Sequence, residues 1–221
     1  MILLMDRRIR TYPAVLGMDS ITLEEMESVK LMNRIDSKYV TTDDKLDLLL
    51  ERAAREGYRA CIIAGEKITP YFSMYYDTPD LEMFRIHRAG HSVRQKIRVR
   101  TYTLTGTTYL EIKRKNNKGR TKKKRILIPV ADLGKVSEAP AFISRESRYT
   151  LDRVSEACTT SFYRITLVNR EKTERITLDT NLSFTNPRTG CEASLPGTVI
   201  IELKQDGRHS STMREWRISY P

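Results

Sequence analysis

The sequence predicts an α+β fold built on a large antiparallel sheet or barrel. Two observations carry that prediction. Residues recur with strict two-residue alternation along most of the chain, as they do when side chains point to opposite faces of a strand. Short polar turns join neighbouring runs, at 104-LTGTT-108, 116-NNKG-119 and 170-REKTE-174, as in antiparallel hairpins. Strands are expected near 58–64, 71–77, 92–104, 107–116, 120–130, 160–170, 173–184 and 197–205.

Helices are expected where start and stop signals coincide. Thr22 and Glu25 have capping-box spacing, so a helix is expected over Leu23–Asn33. The run 34-RIDSKYVTT-42 reads as extended. Thr42 or Asp43 then caps a helix over 44–57, with Gly57 as its stop. Thr78-Pro79-Asp80 is a helix start for 80–88. Further helices are expected at 144–158 and 212–218. The whole, 1–221, reads as one domain: a helical entry at about 20–57, strands over about 58–205 and a C-terminal helical fragment at about 212–218.

Composition narrows the function. The 221 residues include 39 Lys and Arg against 28 Asp and Glu, a formal charge of +11. Such an excess suits an anionic partner: nucleic acid, a membrane surface or a phosphate-rich molecule. The chain has no apolar run long enough for a membrane-spanning helix, and MILLMDRRIR is too short and wrongly ordered for a signal peptide. Cys61, Cys158 and Cys191 lie far apart, which argues against a disulfide framework or zinc site and for a reducing cytoplasm.

The charges are placed unusually. In 93-VRQKIRVRTY-102, Arg94, Lys96, Arg98 and Arg100 occupy alternate positions, opposite Val93, Gln95, Ile97 and Val99. In 109-YLEIKRK-115, Glu111, Lys113 and Lys115 oppose Leu110 and Ile112. Lys123 and Arg125 share a face in 121-TKKKRILI-128. The same holds for Arg164 against Tyr163, Ile165 and Leu167, for Arg175, Thr177 and Asp179 against Ile176 and Leu178, and for Glu202 and Lys204 against Val199, Ile201 and Leu203. An open sheet with a wet charged face satisfies this pattern. So does a closed barrel with charged faces turned inward, which would have to hold water and an anion to offset self-repulsion. The single carboxylates among the cations, Glu111, Asp179 and Glu202, suit a divalent metal that takes its other oxygens from phosphates.

From 76-YDTPDLEMFRIHRAGHSVRQKIRVRTY-102 onward the chain resembles a VTC domain, the polyphosphate polymerase domain of the vacuolar transporter chaperone family. The stretches 34-RIDSKY-39, 110-LEIK-113, 175-RITLD-179 and 201-IELK-204 follow the family's pattern in order. The resemblance implies a triphosphate-tunnel fold: a closed antiparallel β-barrel with a basic lumen and helices packed outside. It implies transfer of the γ-phosphate of ATP to a polyphosphate chain, with manganese or magnesium. Lys38, Arg98, Arg100, Arg164 and Arg175 would grip the reacting phosphates. Lys113, Lys123 and Lys204 would bind phosphates along the tunnel, joined by Arg125 and, towards a tunnel mouth, by Arg94 and Lys96. Glu202 would hold the metal, with Glu111 as a second candidate ligand. The family's C-terminal Ser-Lys-Tyr element does not follow 213-MREWRISY-220: either it is missing or the chain is truncated, which bears on activity more than on fold.

Other readings of the same residues are a triphosphatase with water as acceptor, and a module that binds polyphosphate or inositol polyphosphates without turning them over. Nucleic acid is not the expected partner, and the family association leaves room for a membrane-protein partner. His87 and His91 are spaced i, i+4, but Gly90 interrupts the turn and no third ligand is near, so they are not expected to bind metal. The run 122-KKKR-125 continues into the apolar 126-ILIPV-130 and reads as a strand. Trp216 reads as packing, and of Tyr75, Tyr76 and Tyr102 one could stack on adenine.

Overall fold

A computed structural model describes residues 11–27, 34–207 and 210–216. It divides into two compact units: residues 1–68, 164–180 and 197–221 form the first, and residues 69–163 and 181–196 the second.

The first unit begins with helix α1 (Pro13–Gly17), strand β1 (Ser20–Ile21) and helix α2 (Leu23–Glu27). The expected capping box is present: the Thr22 amide donates to Glu25 Oε2 (2.8 Å) and the Glu25 amide to Thr22 Oγ1 (3.2 Å). The expected remainder of that helix, 28–33, lies outside the described residues. Strand β2 (Arg34–Thr42) leads into helix α3 (Asp43–Arg55). Gly57, at φ 73°, ends α3 as predicted. Its amide donates to Ala54 O (3.1 Å) and the Tyr58 amide to Ala53 O (3.0 Å), the pairing of a Schellman turn, whose left-handed residue glycine adopts without strain. Strand β3 (Arg59–Cys61) is shorter than the expected 58–64 because Ala64 and Gly65, both at positive φ, turn the chain.

In the second unit come β4 (Ile68–Asp77, all but its first residue), α4 (Glu82–Arg88), β5 (Arg94–Tyr102), β6 (Thr107–Lys115) and β7 (Thr121–Ile128). The motif 77-DTPD-80 acts here as helix-capping chemistry. Asp77 Oδ1 accepts from the Thr78 and Met83 amides (2.8 and 2.9 Å), and Oδ2 from the Phe84 amide (2.9 Å). Helix α5 spans Ala139–Glu146, not the expected 144–158. Pro140 favours its first turn. At its end Ser147 turns extended while its Oγ donates to Ile143 O (2.8 Å), and residues from Ser155 on are already strand.

Strands β8 (Ser155–Val168) and β9 (Glu174–Thr185) supply residues to both units, β10 (Glu192–Leu195) pairs with β9 in the second, and β11 (Thr198–Asp206) and α6 (Thr212–Glu215) complete the first. Residues 217 and 218 of the expected terminal fragment lie outside the described residues. The strand order is β2-β11-β9-β8 in the first unit and β8-β4-β5-β6-β7 in the second. Pairing is antiparallel for β2–β11, β11–β9, β10–β9, β3–β8 and along β4-β5-β6-β7, and parallel where β1 meets β3. Among the described residues β2 pairs only with β11 and β7 only with β6. Strand pairing gives a mostly antiparallel sheet in each unit, as expected; closure into a barrel is not shown by pairing among the described residues.

In each unit helices cover the apolar strand faces. Leu46 and Leu50 of α3 belong to one core with Ile165, Leu167, Ile176, Leu178, Ile201 and Leu203. Phe142 and Ile143 of α5 and Met83 of α4 belong to another with Ile97, Val99, Leu110 and Ile112. Each such aliphatic side chain contributes about 1.5–3 kcal/mol on burial, so the period-two pattern fixes which face stays charged. Replacing Asp77 by Ala removes the partner of three amides, and the expected cost is about 1–2 kcal/mol. Urea unfolding of Asp77→Ala measures it, and an unchanged midpoint would refute the capping role.

Candidate functional site

The charged faces come from register. In the second unit Arg98 lies between Tyr75 and Glu111, Arg100 between Ser73 and Tyr109, and Lys96 opposite Lys113. On β7, Arg125 pairs with Glu111 and Lys123 with Lys113. Arg94, Lys96, Arg98, Arg100, Lys113, Lys123 and Arg125 therefore share one face with Glu111. The apolar side chains Ile97, Val99, Leu110 and Ile112 take the other and are fully buried.

Glu111 is the centre of this cluster. It is 2% exposed, and Arg98 donates to its Oε2 from Nε (2.7 Å) and Nη2 (2.5 Å). Lys123, 43% exposed, pairs with Oε1 from the next strand. Burial pushes the Glu111 carboxyl up, but Arg98 and Lys123 outweigh it and hold it below the ordinary glutamate value. Lys123 is pushed down, by burial first and by Arg98 and Arg100, against the pull of Glu111. Arg98 also reaches the Tyr75 hydroxyl (3.4 Å), and Arg100 donates to Ser73 Oγ (3.0 Å). Burial would raise the Tyr75 phenol, yet Arg98, Arg100 and Lys96 hold it below its usual range.

The first unit carries a second charged face. Glu202 of β11 lies between Lys38 of β2 and Thr177 of β9, and Lys204 lies opposite Arg175. Arg164 grips Asp179 with two parallel bonds, Nε to Oδ1 (2.6 Å) and Nη2 to Oδ2 (2.7 Å). Lys204 Nζ donates to Glu202 Oε2 (2.6 Å). Burial raises Glu202, and Lys204, Lys38 and Arg164 more than reverse the effect. Burial lowers Lys204, as do Arg175 and Arg164, against Glu202. Lys38 is exposed.

The VTC domain family model matches residues 33–219. The chain belongs to the VTC domain family. Among solved structures it is similar to a proposed adenylate cyclase from Bacillus halodurans, at 14% identity over 84% of this chain and 90% of that one, with a TM-score of 0.49. It is also similar to an adenylyl cyclase candidate from Hippeastrum described as having a dominant triphosphatase activity (12% identity, 83% and 81% covered, TM-score 0.48). A third such structure, from Vibrio parahaemolyticus, is again a proposed adenylate cyclase (12% identity, 83% and 82% covered, TM-score 0.46). A search of curated protein sequences returned no match.

In this VTC domain the candidate residues fall into two sets. Arg94, Lys96, Arg98, Arg100, Glu111, Lys113, Lys123 and Arg125 share the face in the second unit; Lys38, Arg164, Arg175, Glu202 and Lys204 share that in the first. Sequence reasoning passed over Ser73 and considered Tyr75 only for stacking on adenine; their register with Arg100 and Arg98 positions both guanidiniums. It placed Asp179 on the charged face without identifying its bidentate bond to Arg164.

The family resemblance implies a metal, and the carboxylates of the charged faces differ in how far they are engaged. Among the described residues no three His, Cys, Asp or Glu side chains converge. Glu111 is committed to Arg98 and Lys123, and Asp179 to Arg164, so neither offers an open carboxylate. Glu202 is half-buried and engages one lysine through Oε2. It fits a hard divalent ion whose remaining oxygens come from substrate phosphates and water. His87 and His91 are exposed and belong to no such cluster.

The Glu111 cluster makes stability depend on pH. Its pairing stabilises the fold above the unfolded glutamate pKa of roughly 4.3 and is lost as pH falls through the lower folded value. Glu111→Gln is therefore expected to melt below the wild-type temperature at pH 7, with the gap closing on acidification below about pH 4. Thermal melts across pH 3–7 test this; a gap that stays constant would refute the ion-pair assignment.

Proposed function

We propose that this VTC domain is a metal-dependent polyphosphate polymerase that transfers the γ-phosphate of ATP to a polyphosphate chain within a tunnel of the family's type. The observation that carries the reading is the β5–β6–β7 face, where a ladder of Arg and Lys surrounds Glu111 as its carboxylate. Such a surplus of cations repels itself unless an anion of matching charge density sits on it. Arg98 and Arg100 offer planar forks suited to phosphate oxygens, and both are oriented beforehand by Glu111 and Ser73.

Phosphoryl transfer needs positioning and charge neutralisation more than covalent help from the protein. A terminal oxygen of the acceptor chain attacks the γ-phosphorus. A new P–O–P bond forms, the bond from the γ-phosphorus to the β,γ-bridging oxygen breaks, and ADP leaves. On the face of the second unit Arg98 and Arg100 would hold reacting phosphates and Arg94, Lys96, Lys113, Lys123 and Arg125 the rest of the anion; on the face of the first unit Arg164, Arg175 and Lys38 would grip phosphates and Lys204 bind further along. Glu202 would hold a manganese or magnesium ion, which when bound neutralises charge on the transferred group. No protein nucleophile is required.

The test is ATP turnover with manganese, separating ADP, orthophosphate and long-chain polyphosphate. Polyphosphate with ADP is expected, and Arg98→Ala should lower kcat by about a hundredfold, the equivalent of roughly 3 kcal/mol for one lost electrostatic donor. Orthophosphate without polymer would replace the reading with a triphosphatase. Tight polyphosphate binding without turnover would leave a binding module.

A further inference from the structure

We propose that the far end of the β5–β6–β7 face is a nucleobase platform, so that this face takes a nucleoside triphosphate in one direction. The inference rests on the phosphate-binding reading above. Along β5 the alternate residues run Arg94, Lys96, Arg98, Arg100 and then Tyr102; on β6 Tyr109 follows Glu111, and on β7 Leu127 follows Arg125 in register with Tyr109. The face therefore changes from cationic to aromatic within one strand length. From Arg98 to Tyr102 the chain advances about 13 Å at 3.3 Å per residue. An extended nucleotide spans that distance from its terminal phosphates to its base.

The aromatic end is built and accessible. Tyr71 stacks on Phe162 (5.4 Å between centroids, 5° between planes) and braces Tyr102 edge-on at 5.2 Å. Tyr102 meets Tyr109 edge-to-face at 6.0 Å, and the Arg125 guanidinium lies 4.5 Å from the Tyr109 centroid. Tyr102 and Tyr109 are half-buried, and Leu127 is 66% exposed. A face made only for polyanion would gain from a third β7 cation at position 127; a leucine there favours an apolar, flat group. Guanidinium planes and phenol rings stack on any base, so purine triphosphates are expected to bind alike.

Calorimetric titration of ATP and of inorganic tripolyphosphate, each with magnesium, tests this on the whole chain. Tyr109→Ser is expected to weaken ATP about 5- to 100-fold, the size of a base–aromatic stack, and to leave tripolyphosphate within about twofold. Leu127→Lys, at an exposed position that leaves the core untouched, is expected to strengthen tripolyphosphate and weaken ATP. Equal changes for the two ligands, or none for ATP, would overturn the platform while wild-type tripolyphosphate binding kept the phosphate reading intact. Binding of neither ligand to the wild type would overturn both.

Discussion

The structure depends on how it holds like charges side by side. Four cations at alternate positions of one strand, with more on its neighbours, repel across the short spacings of a sheet. Glu111 offsets that repulsion from the middle of the cluster. It is buried, its two oxygens are divided between Arg98 and Lys123 on separate strands, and it stays ionised despite burial. Removing a carboxylate from such a position would leave two cations without their counter-charge, which costs more than an exposed ion pair returns. In the first unit the same arrangement recurs with different spacing: Asp179 fixes Arg164, and Glu202 fixes Lys204.

The opposite faces of the same strands make this tolerable. Ile97, Val99, Leu110 and Ile112 are buried against α5 and α4, and Ile176, Leu178, Ile201 and Leu203 against α3. Because side chains alternate, slipping any strand by one residue would turn its cations into the core and its aliphatics to the polar face. The cores therefore enforce the register that aligns Arg98 with Glu111 and Lys204 with Arg175. Positioning of the charged groups is a by-product of burying the apolar ones, and it requires no loop to be ordered.

Much of this was legible from alternation alone. β5, β6, β7, β9 and β11 and the charged face of each can be read from the sequence, as can the capping box at Thr22 and the glycine stop of α3. Features set by pairing rather than pattern were not. That Glu111 would be consumed by Arg98 and Lys123, instead of standing open for a metal, follows from which residues face each other across two strand pairs. The helix expected at 144–158 failed because 155–158 is an extension of a long strand, and pairing, not local propensity, decides such segments. The helix start at Thr78-Pro79-Asp80 was legible, but that the carboxylate of Asp77 caps α4 was not.

The carboxylates also bear on what the proposed site must do after it has bound. A polymerase has to hold a polyanion and then release or advance it. A face of cations alone would bind each phosphate in the same deep well. With Glu111 in place, an incoming phosphate competes for Arg98 and Lys123 with a partner already bonded to them, so part of each new contact is offset by one lost. Lys123 and Lys204 are held below the usual lysine range by burial and by their cationic neighbours. An arriving anion offsets that repulsion between cationic neighbours. Phosphates moving one place along such a face exchange one partly compensated site for the next, which keeps the differences between successive positions small. A chain can then be gripped along its length without being trapped at any point of it.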